Sequence, residues 1–245
     1  MKQQFAAKHP WTILAAGAAI QVLTGIPAAW GVFQQPVMEE YGLSEQGAGY
    51  AFGILIAAFG VGCVLGGFLQ DRRGPRCAAL WGTALLCGGF FAAAMLPGGS
   101  AGSFFLAFSI PAGLGTAFLY PSIQSCAQKW YAGRKGLATG VIGGAVGLSG
   151  AFLTVFVRTA VSGFGIVQGI RGAFWALGAI TLPVCLAGSL LLQDPPESRQ
   201  NQQGSGKNEI DLSPWQMLKT KQYWLCAGAA VSYTHLRAHE TDQYL

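Results

Sequence analysis

The residues most able to do chemistry lie in a short hinge between two long apolar runs, Gly67-Phe-Leu-Gln-Asp71-Arg72-Arg73-Gly74-Pro75-Arg76. A carboxylate at a helix end, such as Asp71, can accept hydrogen bonds from the N-terminus of a neighbouring helix, and arginines at that level can face lipid headgroups. The apolar runs on both sides contain no Asp, Glu, Lys or Arg. Because a charge at bilayer depth costs at least about 2.5–3.5 kcal/mol, this distribution predicts a polytopic helical membrane protein.

The sequence contains no clear motif of catalytic residues. The chain has no recognisable nucleophile and base pair, no carboxylate pair within the apolar runs and no phosphate-binding loop. His235 and His239, four residues apart beside Glu240, have the spacing of a helical metal pair, but they fall in a tail that we interpret as foreign. The six cysteines lack metal-ligand spacing and are interpreted as packing residues. We predict no enzyme activity, no metal and no cofactor.

The composition also favours a membrane protein. Hydrophobic residues make up 52% of the chain and charged residues 10%, and there are 36 glycines in 245 residues. Soluble domains carry about 25% charged residues and about 7% glycine, so both deviations favour helices packed in lipid. The net charge of +5 does not indicate a nucleic-acid partner, because the cations are spaced along loops and not gathered on one face with aromatic residues.

Six segments are long enough to cross the hydrocarbon core, which takes about 20 apolar residues. They are residues 11–33, 47–69, 77–96, 104–126, 136–157 and 172–192. Helix is the expected element, because an open sheet would leave backbone groups unpaired in lipid and the alternation of a barrel is absent. The expected fold class is all-α and integral to the membrane: a six-helix bundle over residues 1–192 and the start of a seventh helix at 223–230.

The distribution of cations predicts the orientation. Lysine and arginine favour the cytoplasmic side, and with a cytoplasmic N-terminus only Arg158 and Arg171 fall in outer loops. The inner segments then hold these cations: Lys2, Lys8, Arg72, Arg73, Arg76, Lys129, Arg134, Lys135, Arg199, Lys207, Lys219 and Lys221. The loop with Glu39, Glu40 and Glu45 has no cation and is expected outside. We predict a multi-pass protein of the inner (plasma) membrane.

The composition changes after the sixth span. Residues 193–222 are rich in Gln, Ser and Gly and predict a cytoplasmic linker, since such a stretch buries too little apolar surface to order itself. Within the linker, Ser213 and Pro214 have the N-cap and first-position signature of an amphipathic helix. Residues 231–245 resemble a conceptual translation of a transposon-end sequencing adapter, and we expect them to be an artefact.

The hinge pattern Gly-x-x-x-Asp-Arg-x-Gly-x-Arg resembles the signature that the major facilitator superfamily carries in the cytoplasmic loop after its second span. Further landmarks between Trp11 and Ala230 resemble the N-terminal half of the oxalate/formate antiporter family, which is related to the monocarboxylate porters. The most specific of them is Gln128-Lys129-Trp130-Tyr131 followed by Arg134-Lys135-Gly136-Leu-Ala-Thr139-Gly140. Ala28 departs from the family, whose members often have a tyrosine there.

This resemblance implies a secondary transporter of small carboxylates that works by alternating access. Its partners would be the lipid bilayer, a small organic anion and a coupling proton or counter-anion, with no nucleic acid. A gating role is implied for the hinge residues Gly67, Asp71, Arg72, Gly74 and Arg76. We interpret Arg73 as a residue that only helps to set the orientation of the chain in the membrane. A second six-helix half would supply the gate partner and the cations that select an anion.

Polar and aromatic side chains at mid-depth of the first and fourth spans are candidates for contact with substrate. They are Gln21, Thr24, Trp30, Tyr120, Ser122 and Gln124. The alternative for each is structural, because an isolated Gln or Thr commonly bonds a neighbouring membrane helix and a Trp can anchor the interface. Tyr120 is the strongest candidate, because its hydroxyl needs a polar partner at that depth.

Glycines repeat along the fifth span at intervals of three and four positions, among them Gly136, Gly140, Gly144 and Gly147. Such a row makes one helix face nearly flat. It predicts close helix packing, with the sliding that alternating access requires or with static packing alone as the alternative.

Two other functions stay open on the sequence alone. An exporter of drugs or sugars has the same fold class, and the cations of a second half would discriminate it from a carboxylate transporter. A membrane sensor that binds a partner through residues 199–219 without moving a substrate is the alternative from another class. Capture of a partner that depends on residues 199–219 would favour the sensor.

Overall fold

The computed structural model describes residues 10–164, 166–195 and 214–229. The chain divides into two compact units, Met1–Ser198 and Arg199–Leu245. Within the first unit, helices at six places are long and apolar enough to cross a membrane. The predicted fold class, an all-α membrane bundle, is therefore confirmed.

The first span consists of α1 (Pro10–Thr24) and α2 (Ile26–Tyr41), and the next two are α3 (Glu45–Arg73) and α4 (Pro75–Met95). The fourth span is assembled from α5 (Ala101–Phe104), a π-helical turn (Phe105–Ser109) and α6 (Ile110–Trp130). A 3-10 turn (Ala132–Arg134) leads into α7 (Lys135–Phe164), which is followed by α8 (Ile166–Leu191). In the second unit, α9 is a single turn (Pro214–Met217) and residues 221–229 are helical.

Helices extend past the predicted spans where polar residues can cap them. The Ser44 hydroxyl accepts a hydrogen bond from the Gly47 amide at 3.1 Å, and Glu45 lies in the first turn of α3. Arg72 and Arg73 lie in its last turn. An acid at the start of a helix and bases at its end complement the helix dipole. For this reason α3 continues four residues beyond the predicted span end, into the charged hinge.

The described part of the linker contains a shorter helix than the sequence predicts. Its amphipathic helix is reduced, within the described residues, to the single turn Pro214–Met217. Ser213, the expected N-cap, lies outside the described residues, as does the adapter-like segment 231–245. The helical stretch 221–229 coincides with the predicted start of a seventh helix.

The first span is two helices where the sequence predicts one. Gly25 separates α1 from α2, with φ −79° and ψ 42°. Pro27 follows in the first turn of α2, where its missing N–H cannot donate back to α1. The Ala28 amide donates instead to the Gly25 carbonyl at 3.0 Å. The break lies at mid-span, directly after Gln21 and Thr24.

A cluster of aromatic rings joins the ends of four spans on the side away from the hinge. Its fully buried members are Phe33, Tyr41, Phe90, Phe104, Phe108 and Phe174. Ring centroids of Tyr41 and Phe104 are 4.7 Å apart, and those of Phe108 and Phe174 are 5.0 Å apart. The Tyr41 hydroxyl donates to the Ala93 carbonyl at 2.7 Å, so its buried polar atom is satisfied.

Small residues bring α3, α4 and α6 into close contact. A Cβ at Gly62 would lie 2.6 Å from the Ala117 Cβ, and a Cβ at Gly82 would lie 2.8 Å from the Gly115 carbonyl oxygen. These distances are too short for a side chain, so glycine permits the approach of the helices. Glycine therefore permits the close packing of the second, third and fourth spans of the bundle.

Candidate functional site

A cavity of about 340 Å³ lies among four of the six spans. Its lining comes from both sides of the break in the first span and from the middle parts of α3, α6 and α7. Three of the predicted substrate-contact residues line it, namely Gln21, Thr24 and Tyr120. The rest of the lining is largely apolar, so a few polar groups face a mostly hydrophobic space, as in typical small-molecule sites.

Gln21 and Thr24 form the polar centre of this cavity. The Thr24 hydroxyl donates a hydrogen bond to Gln21 Oε1 at 2.7 Å, which fixes the orientation of the amide. Both residues are 1% exposed, and Gln21 Nε2 is buried without a hydrogen-bond partner among the described residues. A buried unpaired donor costs about 1–3 kcal/mol. A ligand atom that accepts a hydrogen bond from Gln21 would remove that cost.

Tyr120 lines the same cavity from α6, one helical turn after Thr116. The Thr116 hydroxyl donates to the Ala112 carbonyl at 2.8 Å and is therefore occupied within its own helix. Tyr120 is half-buried, and its hydroxyl has no such partner in the described part of the chain. Tyr120 can thus offer a second donor to a ligand held by Gln21, and its contact with substrate stays a prediction.

The other three candidates lie outside the lining of this cavity. The buried Trp30 ring stacks on Phe52, with centroids 5.8 Å apart, which indicates a structural role. Ser122 Oγ and Gln124 Oε1 are buried without a hydrogen-bond partner among the described residues. The structure therefore separates Trp30, Ser122 and Gln124 from the Gln21 cavity, and no substrate contact is assigned to them.

The turn from α3 to α4 defines what we call the hinge end of the bundle. Gly74 has φ +85°, and its amide donates to the Gln70 carbonyl at 2.7 Å. The turn therefore requires a residue that tolerates positive φ. A Cβ at Gly67 would meet no atom within 4 Å, so no described backbone approaches that position.

The charged hinge residues lie at the surface of this end. Asp71, Arg72 and Arg73 are exposed, whereas Arg76 is half-buried. The ion pairs of the described residues involve none of these four side chains. The gate partner that the sequence predicts is thus not found in the described bundle, and the gating role of the hinge stays a prediction.

The glycine row of α7 lies on an open helix face. A Cβ at Gly136, Gly140, Gly144 or Gly147 would meet no atom within 4 Å. The close packing predicted for these positions is therefore absent inside the described bundle, because the row faces away from the neighbouring helices. Packing of the row against another surface stays a prediction.

An ion pair that was not predicted from the sequence lies at the end of the bundle opposite the hinge. Arg171 Nε, near the start of α8, lies 2.5 Å from Glu40 Oε1, in the last turn of α2. Its N–H bond is not aimed at the oxygen, so the contact is an ion pair without a directed hydrogen bond. Arg171 Nη2 donates to the Leu96 carbonyl, just after α4. The Glu40 side chain is 3% exposed, and the pair ties three spans together.

The sequence contains the two charges of this pair but does not show that they are partners. Glu40 and Arg171 are opposite charges in segments expected on the same side of the membrane. The sequence contained two further acids in the same loop and a second cation, Arg158, so charge alone could not select the partners. Packing of α2, α4 and α8 around the aromatic cluster selects them.

A second set of contacts fixes the exit of α8 at the hinge end. Lys129 Nζ lies 3.1 Å from Asp194 Oδ1, and the Trp130 indole N–H donates to the Gln193 carbonyl at 2.6 Å. Lys129 and Trp130 belong to the most family-specific stretch of the sequence. Their observed contacts are structural: they hold the end of α6 against the segment that leaves the sixth span.

The described residues contain no candidate metal site. No group of three or more His, Cys, Asp or Glu side chains within them could hold a metal ion. His235 and His239 lie outside the described residues.

The sequence of this chain is similar to those of curated transport proteins. The oxalate:formate antiporter of Oxalobacter formigenes is 23% identical over 208 residues, which is 83% of this chain and 47% of that protein. Human monocarboxylate transporter 11 is 26% identical over 246 residues, covering 96% of this chain and 50% of that protein. The chain therefore spans about half the length of the curated relatives it matches.

Solved structures and a family model agree on the fold. The peptide transporter POT in complex with sulfate superposes with a TM-score of 0.56 at 23% identity, over 94% of this chain and 45% of that one. Residues 13–236 match the family model of the Major Facilitator Superfamily. This match includes nearly all of the six apolar helices described above. The chain thus belongs to the Major Facilitator Superfamily and is a multi-pass membrane protein.

Proposed function

We propose that this chain is one of the two bundles of a secondary active transporter that moves small carboxylates, of the oxalate, formate or monocarboxylate kind, across the inner membrane. Transport follows alternating access, in which two bundles rock around a site at mid-depth. The relatives named above support the substrate class, and their length supports a second bundle. A coupling proton or a counter-anion completes the cycle.

The observation that carries this proposal is the unpaired amide of Gln21. A carboxylate oxygen is a strong hydrogen-bond acceptor, and bonds to a charged group contribute about 1.5–3 kcal/mol. Gln21 Nε2 and the Tyr120 hydroxyl offer such donors in one apolar cavity. None of the residues that line the cavity is charged. A cation that balances the negative charge of the carboxylate is therefore expected from the second bundle, which would form the other wall of the site.

The open faces of the bundle support this arrangement. The second and fifth spans are the least buried of the six, with 17% and 28% of their most apolar windows buried, against 39–56% for the others. Both contribute lining to the Gln21 cavity. A second bundle packed there would cover the glycine row of α7 and enclose the ligand. The exposed Asp71 and Arg72 would then meet their gate partner at the hinge end.

The orientation belongs to the same proposal. With the N-terminus in the cytoplasm, the hinge end with its arginines faces inward and the Glu40–Arg171 pair faces outward. The excess of lysine and arginine on the hinge side supports this choice, because positive residues are retained on the cytoplasmic side.

The experiment measures uptake of labelled oxalate, formate and lactate by the complete two-bundle transporter in vesicles. In Gln21→Leu the lost hydrogen bond to a charged ligand is expected to raise KM about 10- to 100-fold. Gln124→Leu removes the same amide from a site outside the cavity and serves as the matched control, with KM expected within about twofold of the parent. Equal effects of the two substitutions, or saturable uptake of sugars or drugs but of no carboxylate, would overturn the proposal.

A further inference from the structure

A groove of about 400 Å³ lies at the hinge end, beside the predicted gate residues. It is lined by Phe68, Leu69, Arg72 and Arg73 of α3, Trp81 of α4 and Phe118 of α6. We call it the hinge groove. The proposed transport function gives no role to Arg73, Trp81 or Phe118, so the groove calls for a separate explanation.

The floor of the hinge groove is closely packed. Phe118 is held between two helices that approach it closely through glycine. A Cβ at Gly66 or at Gly82 would lie 3.0 Å from atoms of the Phe118 side chain. The groove is therefore formed by the packing of α3, α4 and α6 and does not depend on a loose loop.

The mouth of the groove is positively charged and aromatic. Arg72 and Arg73 are exposed, and neither forms an ion pair with another described residue. Asp71 is the neighbouring acid and is exposed as well. Trp81 is 54% exposed on the opposite wall. Arginine pairs well with phosphate oxygens, and tryptophan prefers the headgroup level of a bilayer.

An apolar stripe leads from the groove along α3. Val61, Leu65 and Phe68 are 59%, 50% and 45% exposed. They are spaced by four and three residues, and Arg72 follows four residues later, so all four lie on one helix face. A hydrocarbon chain fits the apolar part of this stripe, and an anionic headgroup fits its arginine end.

We propose that the hinge groove is a binding site for an anionic phospholipid, with its phosphate on Arg72 and Arg73, its headgroup beside Trp81 and an acyl chain along Val61, Leu65 and Phe68. The occupant is a lipid rather than a free phosphate, because the apolar stripe continues directly from the cationic groove. This site is separate from the substrate cavity, which is lined by other residues, and it shares only Arg72 with the proposed gate.

The experiment uses the purified chain in neutral detergent, with dioleoyl-phosphatidylglycerol or dioleoyl-phosphatidylcholine added in increasing amounts. Retained lipid is counted by native mass spectrometry, and the thermal unfolding midpoint is measured in parallel. The double variant R72Q/R73Q is expected to bind phosphatidylglycerol about 10- to 30-fold more weakly, since each cation near anionic lipid contributes about 1 kcal/mol. Binding of phosphatidylcholine is expected to stay unchanged.

The matched control is R134Q/K135Q, which removes two exposed positive charges where the 3-10 turn meets the start of α7. This control is expected to bind phosphatidylglycerol within about twofold of the parent chain. R72K/R73K keeps the charge and is expected to retain most of the binding, and W81L keeps both arginines and is expected to lose several-fold. These two variants test the site even where R72Q/R73Q fails to fold.

Three results would overturn the proposal. The first is undiminished phosphatidylglycerol binding in R72Q/R73Q or in W81L. The second is an equal loss in R134Q/K135Q, which would indicate general surface charge. The third is full displacement of the lipid by equimolar glycerol phosphate, which would indicate a site for a free anion. Each outcome is independent of carboxylate transport.

Discussion

Replacement of Arg171 by glutamine is expected to destabilise the bundle by about 2–4 kcal/mol. The Glu40 carboxylate is 3% exposed, so loss of the cation leaves a charge that is buried and unpaired. Breaking a buried ion pair costs about 3–5 kcal/mol, whereas an exposed pair contributes about 0–1 kcal/mol. Arg171 is 35% exposed, so water screens part of the interaction and the expected value lies below the buried limit.

The assay is thermal unfolding of the purified chain in detergent. For a domain of 150–250 residues, 1 kcal/mol shifts Tm by about 2–4 °C, so R171Q is expected to melt about 4–16 °C below the parent. The double variant E40Q/R171Q replaces the orphaned carboxylate by a neutral amide. It is therefore expected to lose less stability than R171Q alone.

The control is Glu39→Gln, which removes an exposed acid from the same helix turn. Its Oε1 accepts only an exposed hydrogen bond from Gln35, at 3.1 Å, so a change below about 0.5 kcal/mol is expected. A Tm of R171Q within 1 °C of the parent, or equal losses in R171Q and E39Q, would refute the reasoning that this pair is buried and ties α2, α4 and α8 together.

Two further predictions concern glycines, and both are checked by Tm in the same detergent. Gly115→Ala is expected to destabilise by about 1–3 kcal/mol, because its Cβ would lie 2.8 Å from the Gly82 carbonyl oxygen, whereas Gly144→Ala, which meets no atom within 4 Å, is expected to be neutral or stabilising by up to about 1 kcal/mol. A similar Tm change in both variants would show that the contact of α4 with α6 does not set the effect at Gly115. Gly74→Ala is expected to cost about 1–2 kcal/mol because of its φ of +85°, and an unchanged Tm would show that the turn relaxes without it.

The fold could be predicted because lipid imposes a simple rule on sequence. Charges are excluded from the hydrocarbon, so the six apolar runs and the charged joints between them were visible without a structure. The break at Gly25 was not foreseen, since an apolar run with a proline is compatible with either a kink or two helices. Its cause is local: Pro27 cannot donate to the preceding turn.

The site was predictable only in part. The position of a residue in an apolar run indicates its depth in the membrane, but not the side of the helix on which its side chain lies. Gln21, Thr24 and Tyr120 meet in one cavity, whereas Ser122 and Gln124, on the same helix as Tyr120, lie outside its lining. The helix phase that separates them depends on how α6 packs against α3 and α4 through glycine. The same limit applies to the α7 glycine row. Its spacing is visible in the sequence and predicts close packing, but the sequence does not show whether the row faces the other helices of the bundle.

Uptake of labelled oxalate, formate and lactate into vesicles that contain only this 245-residue chain tests the central claim most directly. That claim is that the Gln21 cavity is half of a site and needs a second bundle for its remaining wall and its cation. We expect uptake no faster than into protein-free vesicles at every substrate concentration. Saturable uptake by this chain alone would contradict it.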